Sequence, residues 1–185
     1  MPLIDDAIAT YEAAARMLSR VLDSRTDLLA SGLAALGAQP AVHLFGGYKD
    51  VGEALGVCLP SDSRATMSRA EAAQGSPPAI ELLTGDLEWM TFEGWVRDPQ
   101  ARTCFVEADL KTGRQITADV FQRSIGPEGT LRDSRPIEWN LRLSGPCVLE
   151  VPLDTSRAAR HKIVIHLRRP PERMVLRRLA FTALP

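Results

Sequence analysis

Three consecutive segments constrain this chain more than anything else in it: EWMTFEGWVRDP, RTCFVEADLKTG and RQITADVFQRSI, which run almost without interruption from Glu88 to Ile125. Each alternates apolar with polar side chains. Successive side chains of a strand point to opposite faces, so alternation at period two is the pattern of a strand with one buried face. The inward sets are Met90, Phe92 and Val96; Cys104, Val106, Ala108 and Leu110; and Ile116, Ala118 and Val120. The opposite sets are Trp89, Thr91, Glu93, Trp95 and Arg97; Phe105, Glu107 and Asp109; and Thr117, Asp119, Phe121 and Arg123. A merely solvated face is not so aromatic. The pattern therefore predicts a β-sandwich whose second face is a polar-aromatic binding surface.

The same rhythm continues to the C-terminus. Eight strands are expected, at 80–83, 88–97, 102–110, 115–125, 137–143, 147–153, 161–168 and 174–183, with turn-forming residues between them. DPQA (98–101) and KTG (111–113) read as short hairpin connections, GP and EG at 126–129 open a longer loop, and SGP (144–146) and RPPE (169–172) mark further reversals. Ile137, Trp139, Leu141 and Leu143 share one face, and Ile163, Ile165 and Leu167 form another core row. Many short strands at such spacing argue for an antiparallel β-sandwich of jelly-roll type.

Before the strands, residues 2–36 read as one long helix, or two with a break. Ile4, Ile8, Tyr11, Ala15, Leu18, Leu22, Arg25, Leu29, Gly32 and Leu36 recur at alternating four- and three-residue steps, a heptad seam interrupted at Arg25 and Gly32. Such a narrow seam suits self-association as well as packing on the chain's own sandwich. Gly37 ends the helix and Pro40 prevents its continuation. A short strand is expected at 41–45, a short helix at 50–55 and a helical turn or two at 64–73. QGSPPA (74–79) then forms an extended linker. The expected organisation is a helical oligomerisation or docking segment (1–38), an irregular connector with short helices (39–79) and the β-sandwich (80–185). The chain is thus mostly β, with a long helix ahead of a sandwich.

Composition excludes several classes. Among 185 residues the formal net charge is −1, so no global field draws the chain to nucleic acid or an anionic surface. Charge is concentrated locally, because residues 157–178 hold seven Arg and one Lys against a single acid, Glu172. That segment reads as solvated strand edges, with docking to an acidic partner as the rival; no aromatic is interleaved before Phe181, which disfavours single-stranded nucleic acid. No apolar run is long enough to span a membrane. The N-terminal MPLIDDAIAT lacks the basic and apolar regions of a secretory signal, which predicts cytoplasmic synthesis and leaves the final location open. Cys58, Cys104 and Cys147 follow no metal-binding spacing and read as free thiols, a Cys104–Cys147 bridge between sheets being the alternative.

WMTFEGWVRD, FVEADLKTGRQITADVF, and KIVIHLRR followed by MVLRRLAF together resemble the galactose-binding-like jelly roll shared by many carbohydrate-binding modules. The resemblance covers residues 87–184 and lies in strand patterns rather than in fixed catalytic letters. It implies sugar binding by aromatic and polar side chains on a sheet face or on rim loops, often beside a structural calcium ion. No calcium ligand set maps onto this sequence residue by residue.

Aromatic faces stack on the C–H faces of sugar rings, while carboxylates and guanidinium groups bond the hydroxyls. The candidate ligand-binding residues are accordingly Trp89, Glu93, Trp95, Arg97, Asp119, Phe121 and Arg123, with Phe105, Glu107 and Asp109 on the same expected face. The competing expectation is that the N-terminal helical region covers this face. No catalytic residue and no metal ligand is assigned: His43, His161 and His166 have no metal-ligand spacing, and no nucleophile-elbow or phosphate-loop motif occurs. Glu107 and Asp109 share a strand face, as glycosidase carboxylates can, but acids two apart are common on strands. The sequence thus points to a non-catalytic polysaccharide-binding protein, a fibre or accessory component that recognises a bacterial surface glycan. The alternative is a structural subunit of a phage-like assembly that uses the helix and the sheet face as contacts.

Overall fold

The computed structural model describes residues 2–46, 56–71, 74–142, 145–155 and 159–185. The helix α1 (Pro2–Asp23) is followed by the strand β1 (Arg25–Asp27), the helix α2 (Leu28–Leu36) and β2 (Ala41–Phe45). Next come β3 (Val57–Cys58), β4 (Arg64–Arg69), β5 (Ile80–Leu83), β6 (Trp89–Val96), β7 (Thr103–Thr112) and β8 (Ile116–Ile125). The chain closes with β9 (Leu131–Asp133), β10 (Ile137–Leu141), β11 (Cys147–Pro152), β12 (Arg160–Arg168) and β13 (Arg173–Leu184). All pairings between them are antiparallel.

Two sheets form the sandwich. Sheet A runs β11-β7-β13-β5-β4-β2, with β1 pairing the C-terminal half of β13. Sheet B runs β10-β8-β12-β6-β3, with β9 also on β8. The eight expected strands are all present. So is the expected strand at 41–45, and the predicted inward rows meet between the sheets: Met90, Phe92, Val106, Ala118, Val120, Ile163 and Leu167 are at most 1% exposed. Trp139, paired with Ala118, is buried as its phase with the aliphatic residues predicts. The sheets are in close contact at Gly94 of β6, where an added Cβ would lie 2.4 Å from the ring of Phe181 on β13.

The short connections are not hairpins. β6 lies in sheet B, β7 in sheet A and β8 in sheet B again, so the DPQA and KTG segments arch from one sheet to the other. RPPE does the same between β12 and β13. Sheets stack about 10 Å apart and an extended residue spans about 3.3 Å, so three residues suffice for either route. Cys104 and Cys147 both fall in sheet A, Cys104 opposite Val151 and Cys147 opposite Ala108, and both are free thiols.

The N-terminal segment is two helices with a strand between them. Arg25, Thr26 and Asp27 pair with Thr182, Phe181 and Ala180, and the Ser24 hydroxyl donates to the Ala183 carbonyl at 2.6 Å. The heptad seam therefore stops at Leu22. Asp27 caps α2, accepting from the Ala30 amide at 3.0 Å, and Leu28, Gly32 and Leu36 of α2 are buried against the chain's own sandwich. Gly37 ends α2 as expected, with φ 52° and its amide bonded to the Leu33 carbonyl at 3.3 Å. On α1, by contrast, Ile8, Tyr11, Met17, Leu18 and Leu22 remain 52–76% exposed.

Residues 39–79 also differ from the expected connector of short helices. Arg64–Arg69 is a strand, not helical turns, and it pairs with β2 on one side and β5 on the other. Ala65 and Met67 point to the core while Thr66 and Ser68 do not; burial and pairing outweigh the alanine-rich local preference for helix. The helix expected at 50–55 lies outside the described residues.

Candidate functional site

Strand register assembles one continuous surface on the outer face of sheet B, with β12 in the middle, β6 on one side and β8 on the other. Trp95, Lys162 and Arg123 form one cross-strand row, and Glu93, Val164 and Phe121 the next. Thr91, His166 and Asp119 form a third, and Trp89 with Arg168 lies at the end. Val164 is fully buried although it points outward, so it floors the surface beneath its neighbours. Glu93 is positioned by Gly56, whose carbonyl accepts the Glu93 amide at 2.7 Å. Gly56 has φ 66°, and a Cβ there would lie 2.1 Å from the Glu93 carbonyl oxygen, so only glycine fits.

The charged groups on this face are clamped together. The Glu93 carboxylate, whose side chain is 10% exposed, meets Lys162 Nζ at 3.0 Å and Arg123 Nη1 at 3.7 Å. Arg123 is also bidentate to Asp133 of β9, at 2.8 and 2.9 Å, and this hydrogen bonding raises its pKa further. Arg168 meets Asp119 at 2.7 Å. Burial pushes the His166 pKa down, against the opposing pull of Asp119. Burial, reinforced by the negative charge of Glu93, pushes the neighbouring Cys58 thiol up.

The aromatic rings are engaged as well. Arg160 lies over the Trp95 ring at 4.0 Å and Lys162 at 4.5 Å from its centroid, and Arg123 lies over Phe121 at 5.5 Å. Trp89 tilts against His166, with centroids 6.1 Å apart. Trp95 is thus a ring already dressed with cations, while Trp89 is not. On the β8 side of this end lies a hollow of about 450 Å³ lined by Asp119, Thr117, Glu138, Arg168 and the rim residues Arg114 and Arg169.

Of the sequence-predicted residues, Trp89, Glu93, Trp95, Asp119, Phe121 and Arg123 come together here. Arg97 falls one residue past the end of β6 and is exposed. Phe105, Glu107 and Asp109 do not belong to this surface, because β7 carries them on the outer face of sheet A. There Glu107 is held by Arg25 and by Arg178, and Asp109 accepts the Gly145 amide at 3.1 Å. Both acids serve the packing of sheet A.

The residues missed by sequence reasoning are Arg160, Lys162, His166 and Arg168. Their signal was present, since Lys162, Val164 and His166 alternate with the core row Ile163, Ile165 and Leu167. The basic run reads as a sheet edge in the sequence; β12 is instead the centre of sheet B. The competing expectation, that the helical region covers the face, is not met by α1 or α2. α2 packs on β13, β4 and β5, and α1 approaches β13.

Among the described residues no group of three or more His, Cys, Asp or Glu side chains comes together as a metal site. The donor set for the calcium ion that the resemblance brought up is therefore not assembled from these side chains.

No protein-family model matches the chain. No curated protein matches it either. Solved structures similar to it include the xylan-binding family 22 module of Paenibacillus barcinonensis Xyn10C, with a TM-score of 0.48 and 7% identity over 79% of this chain and 86% of that one. The family 11 carbohydrate-binding module of Clostridium thermocellum, solved with a β-1,3-1,4-mixed-linked tetrasaccharide, has a TM-score of 0.41 and 10% identity over 79% and 90% of the two chains. The enzymatically active domain of tailspike protein 4 from bacteriophage CBA120 has a TM-score of 0.48 and 10% identity over 79% of this chain, which spans only 20% of that protein. The expected likeness to carbohydrate-binding sandwiches is thus found. These three TM-scores lie below 0.5, and the functional reading rests on the surface itself.

Proposed function

We propose that this chain is a non-catalytic glycan-binding β-sandwich whose ligand lies along the outer face of sheet B. The observation that carries the reading is the union of aromatic rings with clamped acids and bases on a face that neither helix covers. Rings accept the apolar faces of sugars, and preset carboxylates and guanidinium groups bond hydroxyls without first having to be ordered. Trp89, beside the Asp119–Arg168 pair and the hollow at the end of the face, is the principal stacking ring. Trp95, dressed by Arg160 and Lys162, is the lesser one. In this reading the chain is a fibre or accessory component that recognises a bacterial surface polysaccharide and is multimerised through α1, since the rest of the expected 1–38 segment packs on the chain's own sandwich.

Glycan arrays followed by titration test it. Trp89→Ala should weaken binding by about tenfold, equivalent to ~1.4 kcal/mol, and Trp95→Ala by less. Absence of any glycan ligand, or binding indifferent to Trp89→Ala, overturns the proposal.

The exposed apolar stripe of α1 favours a second reading, a structural subunit of a multi-protein, phage-like assembly. Sedimentation of the whole chain and of Leu18→Glu/Leu22→Glu separates the two. A glycan binder keeps its ligand when the variant lowers the oligomeric state, whereas a structural subunit has no glycan ligand to keep.

A further inference from the structure

At one end of the sandwich three inter-sheet loops converge: residues 84–88 between β5 and β6, 113–115 between β7 and β8, and 169–172 between β12 and β13. They enclose a hollow of about 700 Å³, within the size range of small-ligand sites. Hydrogen bonds tie the loops to one another. The Thr84 amide and hydroxyl donate to the carbonyls of Glu172 and Pro171 at 2.8 and 2.7 Å, and the Arg169 amide donates to the Glu88 carbonyl at 2.8 Å. The Arg114 guanidinium donates to the Arg169 carbonyl. Arg169 itself has φ 48°, a backbone region that a side chain other than glycine's enters at a cost, so local strain is retained at the rim.

The charges lining this hollow are unevenly satisfied. Arg173 is held by Glu81, but Lys111, Arg114 and Arg169 enter no ion pair among the described residues. Two carboxylates, Asp86 and Glu172, share the lining. Arg114 and Arg169 also line the smaller hollow that contains Asp119 and Arg168, so the rim is continuous with the Trp89 end of the sheet B face.

We propose that the rim hollow is an acid-reading subsite and that the glycan is a carboxylated polysaccharide of the uronic-acid type. One carboxylate per sugar is received by Arg114 and Arg169, assisted by Lys111, while Asp86 and Glu172 accept hydrogen bonds from ring hydroxyls. This mixture of charges suits a ligand with one anionic group among many hydroxyls. It opposes a densely anionic one such as a phosphate backbone, which the two carboxylates would repel. The inference rests on the glycan reading above and specifies its ligand class.

The test uses the whole chain in affinity electrophoresis through alginate, polygalacturonate and hyaluronan, each beside its carboxyl-reduced, neutral counterpart. At least one acidic polymer should bind at least tenfold more tightly than its reduced form. The double variant Arg114→Ala/Arg169→Gly, in which glycine suits the backbone at 169, should abolish that preference. Arg177→Ala, which removes a charge outside the hollow, should leave the preference unchanged. Trp89→Ala should weaken both forms of the polymer alike.

Equal binding of acidic and reduced polymers overturns the acid subsite while leaving glycan binding in place. A preference that survives the double variant, or falls as far with Arg177→Ala, assigns the effect to diffuse charge and also overturns it. If no acidic polymer binds, the inference is refuted; if the array shows no glycan ligand of any kind, the glycan reading is refuted with it.

Discussion

Gly94 sits between two candidate ligand-binding residues, Glu93 and Trp95, and its missing side chain is what lets the sheets close at that point. An alanine Cβ there would lie 2.4 and 2.7 Å from two ring atoms of Phe181, where ordinary carbon contacts begin at about 3.5 Å. The ring is itself 2% exposed within the core, so about 1 Å of displacement must be shared between β6 and β13. Overpacking a close-packed core costs typically ~1–3 kcal/mol, and this overlap belongs at the upper end of that range. With a urea slope of about 1–3 kcal/mol per molar, Gly94→Ala should lower the unfolding midpoint by roughly 1 M or more. Phe181→Leu should relieve the overlap. Alone it trims a buried ring and destabilises; combined with Gly94→Ala it should cost less than the two changes summed, with a coupling of ~1 kcal/mol or more. Urea melts of the four proteins close the cycle. If Gly94→Ala lowers the unfolding free energy by less than ~0.5 kcal/mol, or the two changes are additive, the sheets do not meet at this contact as described.

Two further outcomes follow from titratable groups. His161 is 5% exposed, and its Nδ1 lies 3.0 Å from Gln122 Nε2 and 2.9 Å from Ser124 Oγ, so in the fold it accepts as a neutral ring. Burial depresses its pKa from 6.5, against Asp154, and depresses His166 likewise. Between the depressed folded values and 6.5 the unfolded chain binds more protons, so this stability is fully present above 6.5 and is lost as pH falls from there through the folded values. Thermal melts from pH 8 to pH 5 should show the fall, and His161→Gln should flatten it; a flat profile in the native chain refutes the assignment. Cys104, 1% exposed and with its thiol pushed up to about 12 by burial, should resist a maleimide at pH 8 until the chain unfolds, while the exposed Cys58 is labelled. Labelling of Cys104 in native buffer as fast as Cys58 would show that the core opens locally.

The fold was largely legible because alternation reports one quantity well, namely which side chains face the core. Strands β5 to β8 and β10 to β13 came within a few residues of their observed limits on that basis. The same signal says nothing about which sheet a strand joins. A strand in either sheet of a sandwich buries every second residue, and a three- or four-residue connection reaches a hairpin partner or the facing sheet equally well. Alternation therefore puts Phe105, Glu107 and Asp109 on the correct side of their own strand, while the membership of β7 in sheet A puts them on the opposite side of the molecule from Trp89 and Trp95. Arg64–Arg69 failed for another reason: its helix preference is local, and the pairing of β4 with β2 and β5 is not.

The site was legible as a set of residues but not as an arrangement. Alternation places Trp89, Trp95 and Phe121 outward, yet the two cations over Trp95 come from β12, far along the chain. Lys162 reaches Trp95 only because β12 is the strand hydrogen-bonded to β6, and the register that brings them opposite is a property of the folded sheet. A ring with Arg160 at 4.0 Å and Lys162 at 4.5 Å offers a ligand less bare surface and more positive charge than a free tryptophan does. That shifts the expected contact from the Trp95 end of the face towards Trp89. At that end lie the Asp119–Arg168 pair and the rim residues Arg114 and Arg169, which enter no ion pair among the described residues.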